Sequence, residues 1–434
     1  MKKTKRFSAC AICGAIMLIF ICLLASCGEN TTSSKGLEFE LSGDEKSYVL
    51  VGRGKCKDTE IVIDTYKDLP VTKIGGKAFY NQKDITKVSI GNSVTEIDEN
   101  AFFGCDRLKT VNLGTGVTTI GTFAFGACDA LSEINLRDGI TSIGQWAFSD
   151  CASLIDITVP GSVEIISEAM FYECSALENV KLGEGVKIIE KGAFEYCESI
   201  QTVDIPSTVE SVGENAFRYS NEIKKVNISS LENWCETEFM GRYANPLHGQ
   251  KSELVIKGET LTDLVVPDTV SKIGGYTFVG YTKLDSIEVP NSVKQIGSSA
   301  FYSCTALSDV VLGDEISFIG SGAFNGCKNL KTIDLPSALT TIESFLMADC
   351  DSLTEVTGYE NVESIGERAF GGCDSLKSIS IPVSVKRIEA DIAYNSIYLT
   401  TFYYKGTKAQ WEDIDLSTGW NRVSIRCTDG VIEK

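Results

Sequence analysis

The sequence predicts a mainly-β repeat solenoid of about 14 units with a 23-residue period, each unit carrying short strands and one tight helical turn. Three observations predict it. An aromatic returns every 23 residues at Phe79, Phe102, Phe125, Phe148, Phe171, Phe194 and Phe217. The beat resumes at Phe278, Phe301, Phe324 and Phe370, with Met347 in the vacant place. Leu, Ile and Val keep fixed offsets from these rings, as in Leu108, Val111, Leu113, Val117 and Ile120 ahead of Phe125. A unit this short cannot bury its own apolar stripe, so units must stack, like side chain on like side chain.

The chain opens with Lys2, Lys3, Lys5 and Arg6, an apolar run from Ala9 to Leu24, and then Ala25-Ser26-Cys27-Gly28. This reads as an export signal with a small-residue cleavage site, residues 1–26. A retained signal anchor is the alternative, but a run of about 16 residues is short for a membrane span of roughly 20. Leu24-Ala25-Ser26-Cys27 resembles the bacterial lipobox, which implies diacylglycerol on the Cys27 sulfur and a membrane held by lipid anchor. Residues 27–36 would then be the lipidated cysteine and its tether. The alternating stretch in 37–58 is expected to be an N-terminal hairpin cap.

The solenoid is expected over residues 59–395. In each unit, Leu-x-x-Val-x-Leu ends in apolar–polar alternation, which marks a half-buried strand. Val-x-x-Ile-Gly is a second, brief extended stretch. Pro160, Pro206, Pro267, Pro290, Pro336 and Pro382 follow the first strand directly. Lacking an N–H, proline ends a ladder and turns the chain. The Ala-Phe-x-x-Cys segment is expected to be the helical turn. The step from Phe217 to Phe278 is two periods plus 15 residues, so one unit carries an insertion within 220–257. Residues 396–434 lose the period and carry Trp411 and Trp420, a candidate C-terminal cap.

The unit Leu-x-x-Val-x-Leu-Pro…Val-x-x-Ile-Gly-x-x-Ala-Phe-x-x-Cys resembles the BspA-like leucine-rich repeat of bacterial surface antigens. Residues 231–249 (LENWCETEFMGRYANPLHG) and 403–430 are similar to segments recurring in that family. The resemblance spans roughly residues 37–434. It implies cell-surface display with adhesion or ligand binding, and no family-wide catalytic residues. The chain departs from the commoner leucine-rich repeat in lacking an asparagine after the strand, so curvature from other repeat classes does not transfer.

Composition narrows the function further. The formal charge is −19, and near −23 once the four N-terminal cations are removed. Such a surface repels nucleic acid and anionic headgroups. Among 16 cysteines, Cys105, Cys128, Cys151, Cys174, Cys197, Cys304, Cys327, Cys350 and Cys373 share one repeat position. Adjacent units would bring them within disulfide range, yet the first run is odd in number, and Gln82, Ser220 and Tyr281 stand at the same position. They read as a buried ladder of free thiols. Cys56, Cys235 and Cys427 stand apart, as surface thiols or capping residues. Cys10-x-x-Cys13 falls in the export signal.

His248 is the only histidine, which removes most Ser-His and Cys-His mechanisms and any multi-histidine metal site. It is expected in an exposed loop. A two-carboxylate hydrolase needs no histidine, but the acids are scattered one or two per unit. Gly114-Thr115-Gly116 repeats at a turn and opens no helix, so it is no phosphate loop. No catalytic residue, metal or cofactor is expected.

The expected function is binding a host or neighbouring-cell protein or glycan through the solenoid face. The outward positions of the first strand form two columns, Thr110, Glu133, Asp156, Asn179 and Thr202 beside Asn112, Asn135, Thr158, Lys181 and Asp204. Polar residues there can equally well do no more than solubilise the sheet. Trp234 and Tyr243 in the insertion are the best local candidates, because loops interrupting a rigid scaffold carry recognition; the alternative for Trp234 is that it covers the insertion's own small core. A self-associating envelope protein is the alternative, and a carboxylate hydrolase a distant third.

Overall fold

The computed structural model describes residues 31–417 and 424–432. The export signal, Cys27 and Trp420 lie outside them. The chain coils into a β-solenoid of about 16 turns, more than the repeat count alone suggests. The aperiodic C-terminal segment contributes the rest: Thr401–Tyr404 pairs parallel with Ser378–Ile381, and Ser424–Cys427 pairs parallel with it in turn. Gly430–Ile432 folds back antiparallel and closes that end. At the other end Glu38–Leu41 and Tyr48–Gly52 form an antiparallel hairpin whose second strand joins Leu69–Ile74 in parallel.

Two sides of each coil are strands. Thr202–Ile205 pairs with Lys225–Ile228, bringing Val203 against Val226 and Ile205 against Ile228, all four buried. The second strand is only two residues long, as in Ile188–Ile189 against Ser211–Val212. Alternation is the cause: in Asn179–Leu182 the first and third residues are exposed while Val180 and Leu182 are buried. The prolines act as read, the carbonyl of Pro160 accepting from Val163 N–H at 3.0 Å to close the turn between the strands.

The third side is as tight as expected, but its hydrogen bonding is not helical. Trp146 and Asp150 adopt φ of 57° and 56°, and equivalent positions in other coils do the same. Alternate N–H groups are thereby turned out of the coil. Those of Trp146, Phe148 and Asp150 donate to the carbonyls of Glu168, Met170 and Tyr172 in the next coil. A helical turn would use these donors within one unit and leave the stack unjoined along this side, against the need to pair buried amides.

Inside runs the spine. Phe79 through Phe217 stack at centroid separations of 5.0–5.6 Å with interplanar angles of no more than 12°. Phe278, Phe301 and Phe324 repeat this at 5.4 Å, and buried Met347 and Phe370 continue it. Each aromatic buries on the order of 150–250 Å², so the spine rings are among the largest buried side chains of one continuous core.

The repeated glycine after the second strand has a steric cause. A Cβ on Gly121 would lie 2.7 Å from Glu99 N and 2.8 Å from Asp98 C, backbone atoms of the preceding coil.

The strand ladders are interrupted where the third side is not. Glu133–Ile134 pairs back to Thr110–Asn112 but not forward to Asp156–Val159, and Ser142–Ile143 has no ladder to Ile165–Ile166. The hydroxyl of Ser167 donates to Ile143 O at 2.6 Å and spans that opening.

The insertion is not one loop. Its extra residues are shared among helix α1 (Leu231–Glu236), strand Glu238–Phe239, two short 3₁₀ turns and a hairpin of Glu253–Ile256 with Glu259–Thr260. Ser230 caps α1 by accepting from Asn233 N–H at 3.1 Å.

Candidate functional site

The two outward columns lie in register wherever the ladder is intact. Thr110 faces Glu133, Asp156 faces Asn179, and Asn179 faces Thr202; beside them Thr158 faces Lys181 and Lys181 faces Asp204. Asn112, Glu133, Asn135, Asp156, Thr158, Asn179 and Lys181 are exposed, while Thr110, Thr202 and Asp204 are half-buried. The ladder opening after Glu133 divides each column in two.

Neighbouring rungs bond to one another. Asn179 Nδ2 donates to Asp156 Oδ1 at 2.6 Å, and Asn227 Nδ2 to Asp204 Oδ1 at 2.6 Å. Ser286 Oγ donates likewise to Asp263 Oδ1, and together with Thr262 it holds that carboxyl below the usual carboxylate range. Part of the polar face is therefore ordered in advance, which lowers the entropy lost on binding.

Two concavities accompany the ladder openings. The larger, about 470 Å³, lies between Ser142–Ile143 and Ile165–Ile166 and is lined by Thr141, Gln145, Glu164, Ser167 and Glu190 among others. The smaller, about 160 Å³, is lined by Glu355, Tyr359, Glu360 and Lys405. Both have linings that mix polar and apolar surface.

The insertion departs from its expectation. Trp234 is buried and meets Phe239 edge-on at 5.0 Å, filling the local core. Tyr243 is 42% exposed, with the guanidinium groups of Arg218 and Arg242 each 6.0 Å from its ring. His248 is not in an exposed loop: it is 3% exposed, its Nδ1 2.9 Å from Asn245 O and its Nε2 3.2 Å from Asn221 Oδ1. Burial holds its pKa down. Trp234 and His248 seal the coil where the repeat is broken; the core-covering alternative anticipates this for Trp234, and the loop-like sequence does not reveal it for His248. Cys56 and Cys235 are likewise buried, and Cys427 is half-buried.

The thiol ladder is free and buried, and each member has a partner. Cys105, Cys128, Cys151, Cys174 and Cys197 donate through Sγ to the carbonyls of Phe79, Phe102, Phe125, Phe148 and Phe171 at 3.0–3.3 Å. Ser220 makes the same bond to Phe194 O at 2.8 Å, and Ser396 to Phe370 O at 2.7 Å. A small donor recurs at the position, and burial pushes up the thiols of Cys105 and Cys373, each to about 12. Such thiols are poor nucleophiles and poor metal ligands. Among the described residues no group of His, Cys, Asp or Glu is arranged to hold a metal.

A row of rings on the third side was missed. Tyr80, Phe103, Phe123, Trp146, Tyr172, Tyr196 and Tyr219 run along it with successive centroids 4.5–5.9 Å apart. The signal in the sequence is an aromatic within two residues of the spine phenylalanine in seven consecutive units.

The BspA type leucine-rich-repeat region, a block of six copies, matches residues 72–182, 152–242, 255–357 and 294–414. No curated relative matches. A leucine-rich repeat protein from Bacteroides ovatus ATCC 8483 is 23% identical, over 90% of this chain and 98% of that one, with a TM-score of 0.56. This is a likeness of fold. A leucine rich cell surface protein from Faecalibacterium prausnitzii A2-165 is 27% identical, over 90% of this chain and 99% of that one, with a TM-score of 0.49. The stacked spine, the coil that carries it and a repeat matched over most of its length make this chain a member of the BspA-type leucine-rich-repeat family.

Proposed function

We propose that the chain is a cell-surface lipoprotein, held through Cys27, that binds a host or neighbouring-cell protein or glycan on the first-strand face of its solenoid. The observation that carries the reading is the in-register display of exposed polar side chains, Asp156, Thr158, Asn179 and Lys181 at its centre, on a backbone fixed by parallel ladders. A rigid surface with hydrogen-bonding groups already ordered suits recognition of an extended partner. The Leu24-Ala25-Ser26-Cys27 sequence supports the anchor.

The test uses residues 29–434 on arrays of extracellular-matrix proteins and glycans, beside a Thr158→Ala/Lys181→Glu/Asp204→Lys variant. Removing residues 231–249 is unsuitable, since it would strip Trp234, Leu247 and His248 from the core. Binding to one class, weakened about tenfold or more in the variant with circular dichroism unchanged, is the expected result; tenfold corresponds to roughly 1.4 kcal/mol. No binding on either array, or assembly of the chain on itself without ligand, would replace adhesion with a structural role.

A further inference from the structure

The ring row on the third side is unlike the spine in being accessible. Tyr80 is 41% exposed and Tyr219 39%, and the rings between them are half-buried. Large contiguous exposed apolar patches on a folded chain mark interaction sites. The row is also built for continuity. Where it shifts sideways between Phe103 and Phe123, Gly126 leaves the room, since a Cβ there would stand 3.0 Å from the Phe103 ring and 3.2 Å from that of Phe123.

Its two ends differ in what covers the rings. Toward the C-terminus the chain supplies its own guanidinium groups. Arg218 lies 4.6 Å from the centroid of Tyr219, and Arg242 lies 6.0 Å from Tyr243 and 5.7 Å from Tyr302. Further on, Arg368 lies 4.4 Å from Tyr394 and 6.0 Å from Phe345. From Tyr80 to Tyr196 no ring of the row is covered by a cation among the described residues. Carboxylates flank this stretch instead. Asp150 and Glu173 sit together beside Tyr172 with Asp129 near them, and burial first, then Glu173, pushes Asp150 up to about 6. A pair of crowded acids next to bare rings is the arrangement that a planar cation satisfies, stacking on the rings and bonding the carboxylates.

We infer that the row from Tyr80 to Tyr196, with Asp150 and Glu173 at its flank, docks an arginine-rich segment of a protein partner. The guanidinium groups would continue along the row the ring-covering that Arg218 and Arg242 provide beyond it. This surface lies on the side opposite in role to the polar strand columns, and it stands or falls independently of them.

The experiment titrates residues 29–434 with a fluorescent oligo-arginine peptide and with oligo-lysine of equal length, following anisotropy. Arginine should bind roughly fivefold or more tightly than lysine, because an ammonium cannot stack. A Tyr172→Ser/Tyr196→Ser variant should lose about tenfold or more, as should Asp150→Asn/Glu173→Gln, which keeps side-chain shape and guards against a folding artefact. The strand-face variant Lys181→Glu/Asp204→Lys should leave the preference intact. Equal binding of the two peptides, or binding indifferent to the tyrosines, would reduce the effect to net charge and overturn the inference. So would displacement of the peptide by a neutral gluco-oligosaccharide, which would make the row a glycan platform.

Discussion

Raising the pH should unfold this protein through its thiol ladder. Eight ladder cysteines, Cys105, Cys128, Cys151, Cys197, Cys304, Cys327, Cys350 and Cys373, have their pKa pushed up, in each case chiefly by burial. In the unfolded chain each thiol returns to about 8.5. The folded value being the higher, the folded state binds more protons above that pH, and stability falls as pH rises. At about pH 9.5 each thiol shifts the balance by on the order of 1 kcal/mol, so the eight together remove several kcal/mol, a large share of a typical domain's stability of about 5–15 kcal/mol. The assay is urea unfolding of residues 29–434 under reductant, followed by circular dichroism from neutral pH to about 9.5. Its control replaces Cys304, Cys327, Cys350 and Cys373 by serine. Ser220 and Ser396 already fill that position and donate to the same kind of carbonyl, so the variant should fold. It should lose about half of the alkaline sensitivity. A midpoint that does not move between neutral pH and about 9.5, or a four-serine variant with the wild-type slope, would refute the reasoning.

Two further outcomes follow from the packing. A Cβ on Gly297 would stand 2.3 Å from Gly275 N and 2.7 Å from Gly274 C, main-chain atoms that cannot rotate aside. Gly297→Ala should therefore destabilise by about 3 kcal/mol in urea unfolding, whereas Gly43→Ala, with nothing within 4 Å, should stay within about 0.5 kcal/mol; equal effects would show that the coils are not so closely spaced. In thiol titration with Ellman's reagent, the native chain should react promptly at Cys427 alone among its described cysteines, and at all of them in guanidinium, because the other eleven are buried. Prompt reaction of more than one native thiol would contradict the sealed ladder.

What was legible in the sequence is what recurs at a fixed offset. Phe102, Cys105, Leu108, Val111 and Ile120 announce themselves because every coil repeats them, and the spine, ladders and thiol column follow. The outward columns were legible for the same reason, since a strand's period of two fixes which side faces out. The broken unit was not. Trp234 and His248 sit among polar, loop-like neighbours, and nothing local shows that the extra residues must plug the core between Phe217 and Phe278. The ladder openings were also hidden: Ser167 stands where the unit's glycine belongs, but Glu190 departs in the same way one coil on, where Ile165–Ile166 and Ile188–Ile189 still pair, so the departure does not mark the opening.

The ring row was hidden for a different reason. Tyr80 and Phe103 follow the spine ring by one residue, Phe123 and Trp146 precede it by two, and Tyr196 and Tyr219 follow it by two. Aligned unit by unit, no column is aromatic, yet in space the rings are continuous. The third side permits this because alternate N–H groups bind it to the next coil and hold the turns in register, so the positions flanking the spine ring stay near those of the next turn. An aromatic side chain is long enough to reach its neighbour from more than one of them. Positions that build the lattice must keep register, because one displaced ring would open the core. A surface row has only to maintain contact, so it can drift in sequence without breaking in space, and a search by repeat position passes over the very residues that depart from the repeat.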